Sequence, residues 1–142
     1  MQQQQILVVL GYVEHDGKVL LSQRNEPTNP AVHLVWEFPG GTNHFGETLE
    51  QTCVRELKEE LGVDVEPLEL FPRPVSHTWD FGERHVQIHL VCFRCRYVGG
   101  EPTCLEEEIN DVRWVPKAEL SKYNFFETGR KFVEQIGMLN VE

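Results

Sequence analysis

The chain has 142 residues, of which 40% are hydrophobic and 10% aromatic, so it holds enough apolar material for a buried core. Its formal net charge is −10. Duplex nucleic acid and anionic membranes are bound largely through Lys and Arg, and this charge argues against both as main partners. A small phosphorylated ligand stays possible, because metal ions and a few local basic residues can balance its charge.

The first predicted elements form a β-hairpin. The apolar run Ile6 to Val13 is typical of a buried strand, and Asp16-Gly17 predicts a tight turn into a second strand at 19–23. Arg24 follows, either as a solvated residue at the strand end or as a contact for a charged ligand. The next segment, 25–34, contains two prolines and predicts a loop able to gate a site.

Targeting signals and paired cysteines add little. The start, MQQQQ, lacks the basic region of a secretion signal, and the apolar run after it is too short to span a bilayer, so we expect a cytoplasmic protein. Cys92 and Cys95 form a CxxC pair inside a predicted strand, where residues three apart point to opposite faces and share a metal poorly. Reduced thiols are the expectation.

The best-defined element is a helix from Leu49 to Leu61. Thr48 and Gln51 form a capping box at its start, and Gly62 supplies the left-handed residue that commonly ends a helix. A short strand at 35–38 and a pair of glycines precede it. Paired glycines allow the backbone to approach a ligand closely, and backbone carbonyls there can add metal ligands.

Three glutamates of this helix, Glu56, Glu59 and Glu60, lie at positions i, i+3 and i+4 and therefore on one face. Like charges at this spacing repel one another unless a cation lies between them. Hard oxygen ligands suit Mg²⁺, which takes one or two protein carboxylates and completes its shell with water and phosphate. The alternative is a solvated acidic face on a surface helix.

The rest of the chain predicts strands at 65–71, 85–98 and 109–115, and a helical turn at 116–120. A closing helix is predicted from Phe125 to Ile136, ending at Gly137. The aromatic and charged segment 77–84 is interpreted as part of the connection between two strands. Mixed strands with a central and a terminal helix predict an α+β layered fold.

The segment 41–63 resembles the Nudix box at every defined position. Gly41 is followed by five residues and Glu47, and then by seven residues and Arg55-Glu56-Leu57; the box ends with Glu59-Glu60, one residue, and Gly62-Val63. Weaker similarity to the MutT-like branch covers most of the chain, including WEFPGG at 36–41 and RWVP at 113–116. The resemblance implies a single Nudix domain over 1–142, with a mixed β-sheet sandwiched between helices.

The resemblance also implies an activity. We expect a Mg²⁺-dependent hydrolase of phosphoanhydride bonds, with Mn²⁺ able to substitute, that converts a (d)NTP to (d)NMP and pyrophosphate. Its partner would be a small nucleotide, and the enzyme would be a monomer or a homodimer. Two alternatives stay open: hydrolysis of another nucleoside diphosphate derivative, such as a dinucleoside polyphosphate or a nucleotide sugar, and a nucleotide-sensing domain without turnover.

The family pattern assigns the reaction centre residue by residue. The expected metal ligands are Gly40, Glu56, Glu59, Glu60 and Glu108, and the expected catalytic residues are Arg55, Glu56, Glu59 and Glu108. Arg55 would orient a catalytic carboxylate, and Glu56 is either a ligand or the base that accepts the water proton. Within 106–108, alignment by the downstream RW favours Glu108, whereas alignment by the upstream GEP favours Glu106. Glu47 is interpreted as structural, through its charge at the helix N-terminus.

The expected substrate contacts are a phosphate-binding Arg24 and a base-binding set taken from aromatic and edge-reading residues: Trp36, Phe38, Trp79, Phe81, Arg84, Phe126 and Glu127. In MutT-like proteins an asparagine near the start of the last helix reads oxidised guanine. Its approximate counterpart here is Phe126, with Glu127 adjacent. The base therefore stays open among oxidised guanine, other purines and cytosine.

Overall fold

Eight strands and two α-helices make up the fold in the computed structural model, which describes residues 2–139. In chain order they are β1 (Gln2–His15), β2 (Lys18–Arg24), β3 (Trp36–Glu37), β4 (Gly40–Thr42), α1 (Leu49–Leu61), β5 (Asp64–Leu70), β6 (Val75–Asp80), β7 (Arg84–Gly99), β8 (Ile109–Pro116) and α2 (Glu127–Val133). Two 3-10 helices, Lys117–Lys122 and Ile136–Met138, precede and follow α2. No helix in 2–139 is long and apolar enough to cross a membrane.

One mixed sheet joins all eight strands. Five of them are neighbours in the order β3-β2-β1-β7-β5, and β4, β6 and β8 pair with members of this row. β1 pairs in parallel with β7 along most of its length and antiparallel with the short β4, while β8 pairs with β2 and β6 with β7. The predicted hairpin is confirmed, with Asp16 and Gly17 at positive φ between two paired residues of each strand. Over most of its length β1 pairs with β7 and not with β2.

Each face of the sheet carries its own apolar core. Alternate residues of β1 point to opposite faces, so Val9 and Val13 pack with Leu57 of α1, whereas Leu10 and Tyr12 pack with Phe132 of α2. The sheet thus lies between α1 and the C-terminal helices, which confirms the predicted α+β sandwich. The same alternation separates the CxxC cysteines, because Cys92 and Cys95 belong to different cores.

The capped helix is confirmed at both ends. Thr48 Oγ1 accepts a hydrogen bond from Gln51 N at 3.1 Å, and Thr48 N donates to Gln51 Oε1 at 2.9 Å. Gly62 has φ 72° and donates its N–H to Lys58 O. On β1, a Cβ added to Gly11 would lie 3.0 Å from Leu57 Cδ2, so this glycine lets α1 approach the sheet closely.

Two sequence predictions were wrong. The connection proposed over 77–84 contains most of β6, which pairs antiparallel with β7 from Val75↔Leu90 to Asp80↔His85. The closing helix proposed from Phe125 to Ile136 is only seven residues long. It begins at Glu127 and not at Phe125, because Phe125 forms a parallel β-bridge with Trp36 and Phe126 is extended, with ψ 161°.

Candidate active site

A cleft of about 560 Å³ lies where α1, β4 and the 106–108 loop face β6 and α2. Its acidic part, hereafter the acidic group, is formed by Glu56, Glu60, Glu106 and Glu108. Its apolar part is formed by residues of β1, β6 and β7, together with Phe81, which follows β6, and Phe126, which precedes α2; the strand residues are Ile6, Val8, His77, Trp79, Val86, Ile88 and Leu90. The cleft therefore places a group of carboxylates beside a surface suited to an aromatic ring.

The carboxylates of the acidic group lie close enough to change one another's pKa. Burial and a hydrogen bond with Glu56 raise the pKa of Glu60 well above its usual range, and the charges of Glu37 and Glu106 act in the same direction. Partial burial and the charge of Glu108 raise the pKa of Glu106. In both cases burial and the neighbouring carboxylates disfavour the ionised form, so a nearby cation would favour it.

Arg55 links the box glutamates. Its Nη1 donates to Glu56 Oε1 at 2.8 Å and to Glu59 Oε2 at 3.2 Å, while its Nη2 donates to Glu47 Oε1 at 2.9 Å. Glu47 also accepts from His44 N and from Thr52 Oγ1. Glu47 is therefore placed as the fixed anchor for Arg55, a more specific contact than the helix-terminus charge expected from the sequence.

The Glu47 anchor predicts a pH-dependent stability difference. Hydrogen bonds from Arg55 and from His44 N lower the pKa of Glu47 from 4.5 to about 2. Its stabilising contribution is therefore present above pH 4.5 and is lost as the pH falls towards 2. We expect Glu47→Gln to lower the unfolding temperature above pH 4.5, with the difference from the wild type shrinking as the pH falls.

Thermal unfolding followed by circular dichroism across pH, in metal-free buffer, checks this expectation. Glu50→Gln is the matched control, because Glu50 lies on the first turn of the same helix and is exposed. A difference between Glu47→Gln and the wild type that stays constant from neutral to acid pH would contradict the assigned role.

Gly40 and Gly41, at the start of the box, are each required by a close approach of another group, and the two groups differ. A Cβ added to Gly40 would lie 2.1 Å from Val9 O, a backbone atom, so any side chain there would push β4 away from β1. A Cβ added to Gly41 would lie 2.4 Å from the Glu56 carboxyl group. Gly40 thus preserves strand pairing, whereas Gly41 leaves the space that the Glu56 carboxylate occupies.

Arg24 lies in the cleft but is already paired. Its Nε and Nη2 donate to the two carboxylate oxygens of Glu37 at 3.0 and 3.2 Å, and its Nη1 donates to Glu26 at 3.0 Å. Burial raises the pKa of Glu37, and the Arg24 guanidinium opposes that shift. Each terminal nitrogen of Arg24 retains one N–H outside these bonds, so the residue can still contact an anion.

Three aromatic side chains in and beside β6 and α2 belong to the apolar part of the cleft. Trp79 stacks on Phe126, with centroids 5.3 Å apart at 24°, and on Phe81 at 6.0 Å and 11°. We call Trp79, Phe81 and Phe126 the aromatic shelf. His77 meets Trp79 and Phe126 edge-on, and its Nδ1 lies 3.0 Å from Glu127 Oε1.

The remaining predicted residues occupy different positions. Phe38 is fully buried, between Tyr12 and Phe125, so it forms the floor of the cleft. Arg84 lines the cleft with its guanidinium carbon 5.5 Å from the Phe81 ring centre. Arg55 and Glu127 contact the lining residues Glu56 and His77 without themselves lining the cleft. Glu59 does not line the cleft either, and its side chain contacts Arg55.

Sequence reasoning did not single out three lining residues, Glu26, Glu37 and His77. Glu37 carried a usable signal, because a glutamate between Trp36 and Phe38 in a short apolar strand requires a cationic partner. His77 carried none until β6 was recognised as a strand, since only the period-two alternation places it on the same face as Trp79.

The donor set fits a hard divalent cation. Glutamate oxygens are the ligands that Mg²⁺ prefers, the neighbouring carboxylates need a counter-charge, and Gly41 leaves room for the Glu56 carboxyl group. Within 2–139, however, no three His, Cys, Asp or Glu side chains are grouped closely enough to hold one ion. The Glu59 side chain is 54% exposed and pairs with Arg55.

Several known proteins are similar to this chain in sequence or in fold. The 8-oxo-dGTP diphosphatase of Proteus vulgaris is 35% identical over 89 residues, covering 62% of this chain and 75% of that protein. The CTP pyrophosphohydrolase of Escherichia coli is 38% identical over 84 residues, covering 59% and 58%. The crystal structure of a MutT NUDIX hydrolase from Burkholderia pseudomallei matches with a TM-score of 0.73 at 25% identity, covering 93% and 98%.

A family model described as the NUDIX domain matches residues 3–136. The match includes the whole box, both cores except Leu139, and every residue that lines the cleft. The chain therefore belongs to the Nudix family of hydrolases, which act on phosphoanhydride bonds.

Proposed function

We propose that this protein is a Mg²⁺-dependent nucleotide pyrophosphohydrolase that converts a (d)NTP to (d)NMP and pyrophosphate. The observation that carries the proposal is the shared cleft, in which the acidic group and the aromatic shelf lie together. The names of two relatives, an 8-oxo-dGTP diphosphatase and a CTP pyrophosphohydrolase, support a nucleotide as the substrate. A soluble nucleotide substrate accords with the cytoplasmic location expected from the sequence.

Glu56 is proposed as the residue at the chemical step. Hydrolysis forms a bond from the water oxygen to phosphorus and breaks a bridging P–O bond, with pyrophosphate leaving. The water proton must pass to a base, and Glu56 lies in the cleft with its carboxylate oriented by Arg55. Arg55 is in turn fixed by Glu47, so the base has both an orienting cation and an anchor.

Phosphate charge is balanced by two sources in this proposal. Arg24 offers its remaining N–H groups to phosphate oxygens, while Glu37 holds the guanidinium in place. Glu59, Glu60, Glu108 and the Gly40 carbonyl would hold Mg²⁺, because Glu56 serves here as the base and not as a ligand. When bound, the ion supplies charge neutralisation on the phosphate oxygens and activation of water.

The clearance at Gly41 gives a prediction for activity. Gly41→Ala places a methyl group where the Glu56 carboxylate lies, and we expect kcat to fall at least about tenfold, because small displacements of a reacting group are costly. The unfolding temperature should change little, since the methyl group meets a movable side chain. Steady-state kinetics and thermal unfolding measure the two effects.

Gly99→Ala is the matched control, because a Cβ at Gly99 would meet no heavy atom within 4 Å. It should leave both kcat and the unfolding temperature close to the wild-type values. Wild-type kcat in Gly41→Ala would show that the Glu56 carboxylate is free to move without consequence, against its proposed role.

A substrate panel tests the proposed function. Purified protein with Mg²⁺ is incubated with the common nucleoside triphosphates, 8-oxo-dGTP, diadenosine polyphosphates and ADP-ribose, and kcat/KM is measured for each. We expect the highest kcat/KM for a triphosphate. A preference for a dinucleoside polyphosphate or ADP-ribose would replace the proposal with the second hydrolase activity. Tight binding of one nucleotide without turnover would favour a sensing domain.

A further inference from the structure

The loop that carries Glu106 and Glu108 is hydrogen-bonded on one side to the end of α1. Thr103 N donates to Leu61 O at 3.0 Å, and Leu105 N donates to Glu60 O at 3.0 Å. Both acceptors are carbonyls of the last turn of α1, which the helix itself leaves without partners. The loop therefore starts from the end of the helix that carries the box glutamates.

Asn25 attaches the same loop on its other side. Asn25 N donates to Glu108 O at 2.7 Å, and Asn25 Nδ2 donates to Glu107 O at 2.8 Å. The pairing of β2 with β8 ends just before, at Arg24↔Ile109, after a register shift between Gln23 and Arg24. Such a shift re-aims the chain, and here it turns Asn25 towards the loop carbonyls.

The side-chain bond requires an amide. A carbonyl oxygen only accepts hydrogen bonds, so the group facing Glu107 O must be the Nδ2 donor of Asn25. Aspartate has nearly the same shape but would place an anionic acceptor against that carbonyl. Replacement of Asn25 by aspartate therefore removes the hydrogen-bond donor while keeping the size of the side chain.

The loop needs this attachment because of the charge it carries. Glu106 and Glu108 line the cleft together with Glu56 and Glu60, and four carboxylates in one cleft repel one another. Without attachment on both sides, repulsion would move the loop outward before a cation could bind. Asn25 is the side-chain contact that opposes this movement on the side away from α1.

We propose that Asn25 is a positioning residue that holds the Glu106–Glu108 loop in the cleft, so that its carboxylates are in place for the cation and the nucleotide. This inference rests on the proposed function. Asn25 does not line the cleft, and it acts through the loop backbone.

Three variants test the proposal: Asn25→Ala, Asn25→Asp and the control Asn110→Ala. Asn110 Nδ2 donates to Gln23 Oε1 at 2.7 Å, so its replacement removes an exposed hydrogen bond between the same two strands without touching the loop. Three readouts are used: steady-state kinetics, Mn²⁺ titration of metal-free protein by calorimetry without nucleotide, and hydrogen exchange of the 103–109 segment in metal-free protein.

For Asn25→Ala we expect kcat to fall about 3- to 10-fold and the Mn²⁺ dissociation constant to rise by the same factor, as for the loss of one hydrogen bond. KM should stay nearly unchanged. Exchange in 103–109 should accelerate. Asn25→Asp should show equal or larger effects, and Asn110→Ala should match the wild type. A role in packing alone predicts instead that Asn25→Asp resembles the wild type, and that outcome would overturn the proposal.

A lower unfolding temperature in Asn25→Ala with unchanged kcat, Mn²⁺ affinity and loop exchange would also overturn it. Absence of turnover in the wild type contradicts the proposed function instead. In that case the Mn²⁺ titration and the exchange measurement still decide the role of Asn25.

Discussion

Glu56→Gln is expected to lower kcat about 10²- to 10⁴-fold, the range typical of losing a general base. The amide keeps the shape of the side chain and can still face Arg55, but it does not accept the water proton. The fold should persist, because Glu56 lies on the flank of α1 and the packed face is formed by Cys53, Leu57 and Leu61. Steady-state kinetics at saturating Mg²⁺ measures the loss.

Glu50→Gln is the control for this experiment as well, since it makes the same chemical change on an exposed position of the same helix. It should retain wild-type kcat. Turnover by Glu56→Gln within about threefold of the wild type would remove Glu56 from the chemical step, because no base contributes so little.

Trp79→Ala is expected to raise KM for the preferred nucleotide roughly 5- to 150-fold, with kcat less affected. Stacking of a base on an aromatic side chain contributes about 1–3 kcal/mol, and about 1.4 kcal/mol corresponds to a factor of ten. Trp79 is the centre of the aromatic shelf, so its removal also leaves Phe81 and Phe126 without their shared neighbour. Steady-state kinetics with several nucleotides measures both constants.

Trp114→Ala provides the matched control. It also removes a tryptophan from the sheet, but the Trp114 ring packs on His15 and Tyr97 and does not line the cleft. KM should stay at the wild-type value in this variant even where the unfolding temperature falls. Equal changes of KM in the two variants would indicate that the base binds elsewhere and that the Trp79 effect is a general loss of stability.

Local signals made part of this fold predictable. The helix at 49–61 was obtained with both ends correct, because a capping box and a left-handed glycine act within a few residues and depend little on the rest of the molecule. The Asp16-Gly17 turn was obtained for the same reason. These are features whose physical cause is written in adjacent residues.

Long-range contacts explain the two errors. β6 lies between a proline-containing segment and a turn at Gly82, and its pairing with β7 stabilises a sequence that resembles a connection. The closing helix loses its first residues because Phe125 bridges to Trp36, far away in the chain. Neither contact is visible in the local pattern, and each changes the secondary structure.

The site was predictable to a similar degree. The box spacing indicated the carboxylates of α1, and the structure does place Glu56 and Glu60 in one cleft. The triplet at 106–108 could not be resolved from the sequence, because a loop has no fixed periodicity. In the structure Glu106 and Glu108 both line the cleft and Glu107 does not. Arg24 was expected as a phosphate contact, but its pairing with Glu37 became visible only across two strands.

Identification of the products of the preferred triphosphate by phosphorus NMR, with Mg²⁺ and with the metal chelated, tests the central claim most directly. The account predicts nucleoside monophosphate and pyrophosphate in equal amounts with Mg²⁺, and no turnover after chelation. Nucleoside diphosphate with orthophosphate, or equal turnover without a divalent cation, would contradict it.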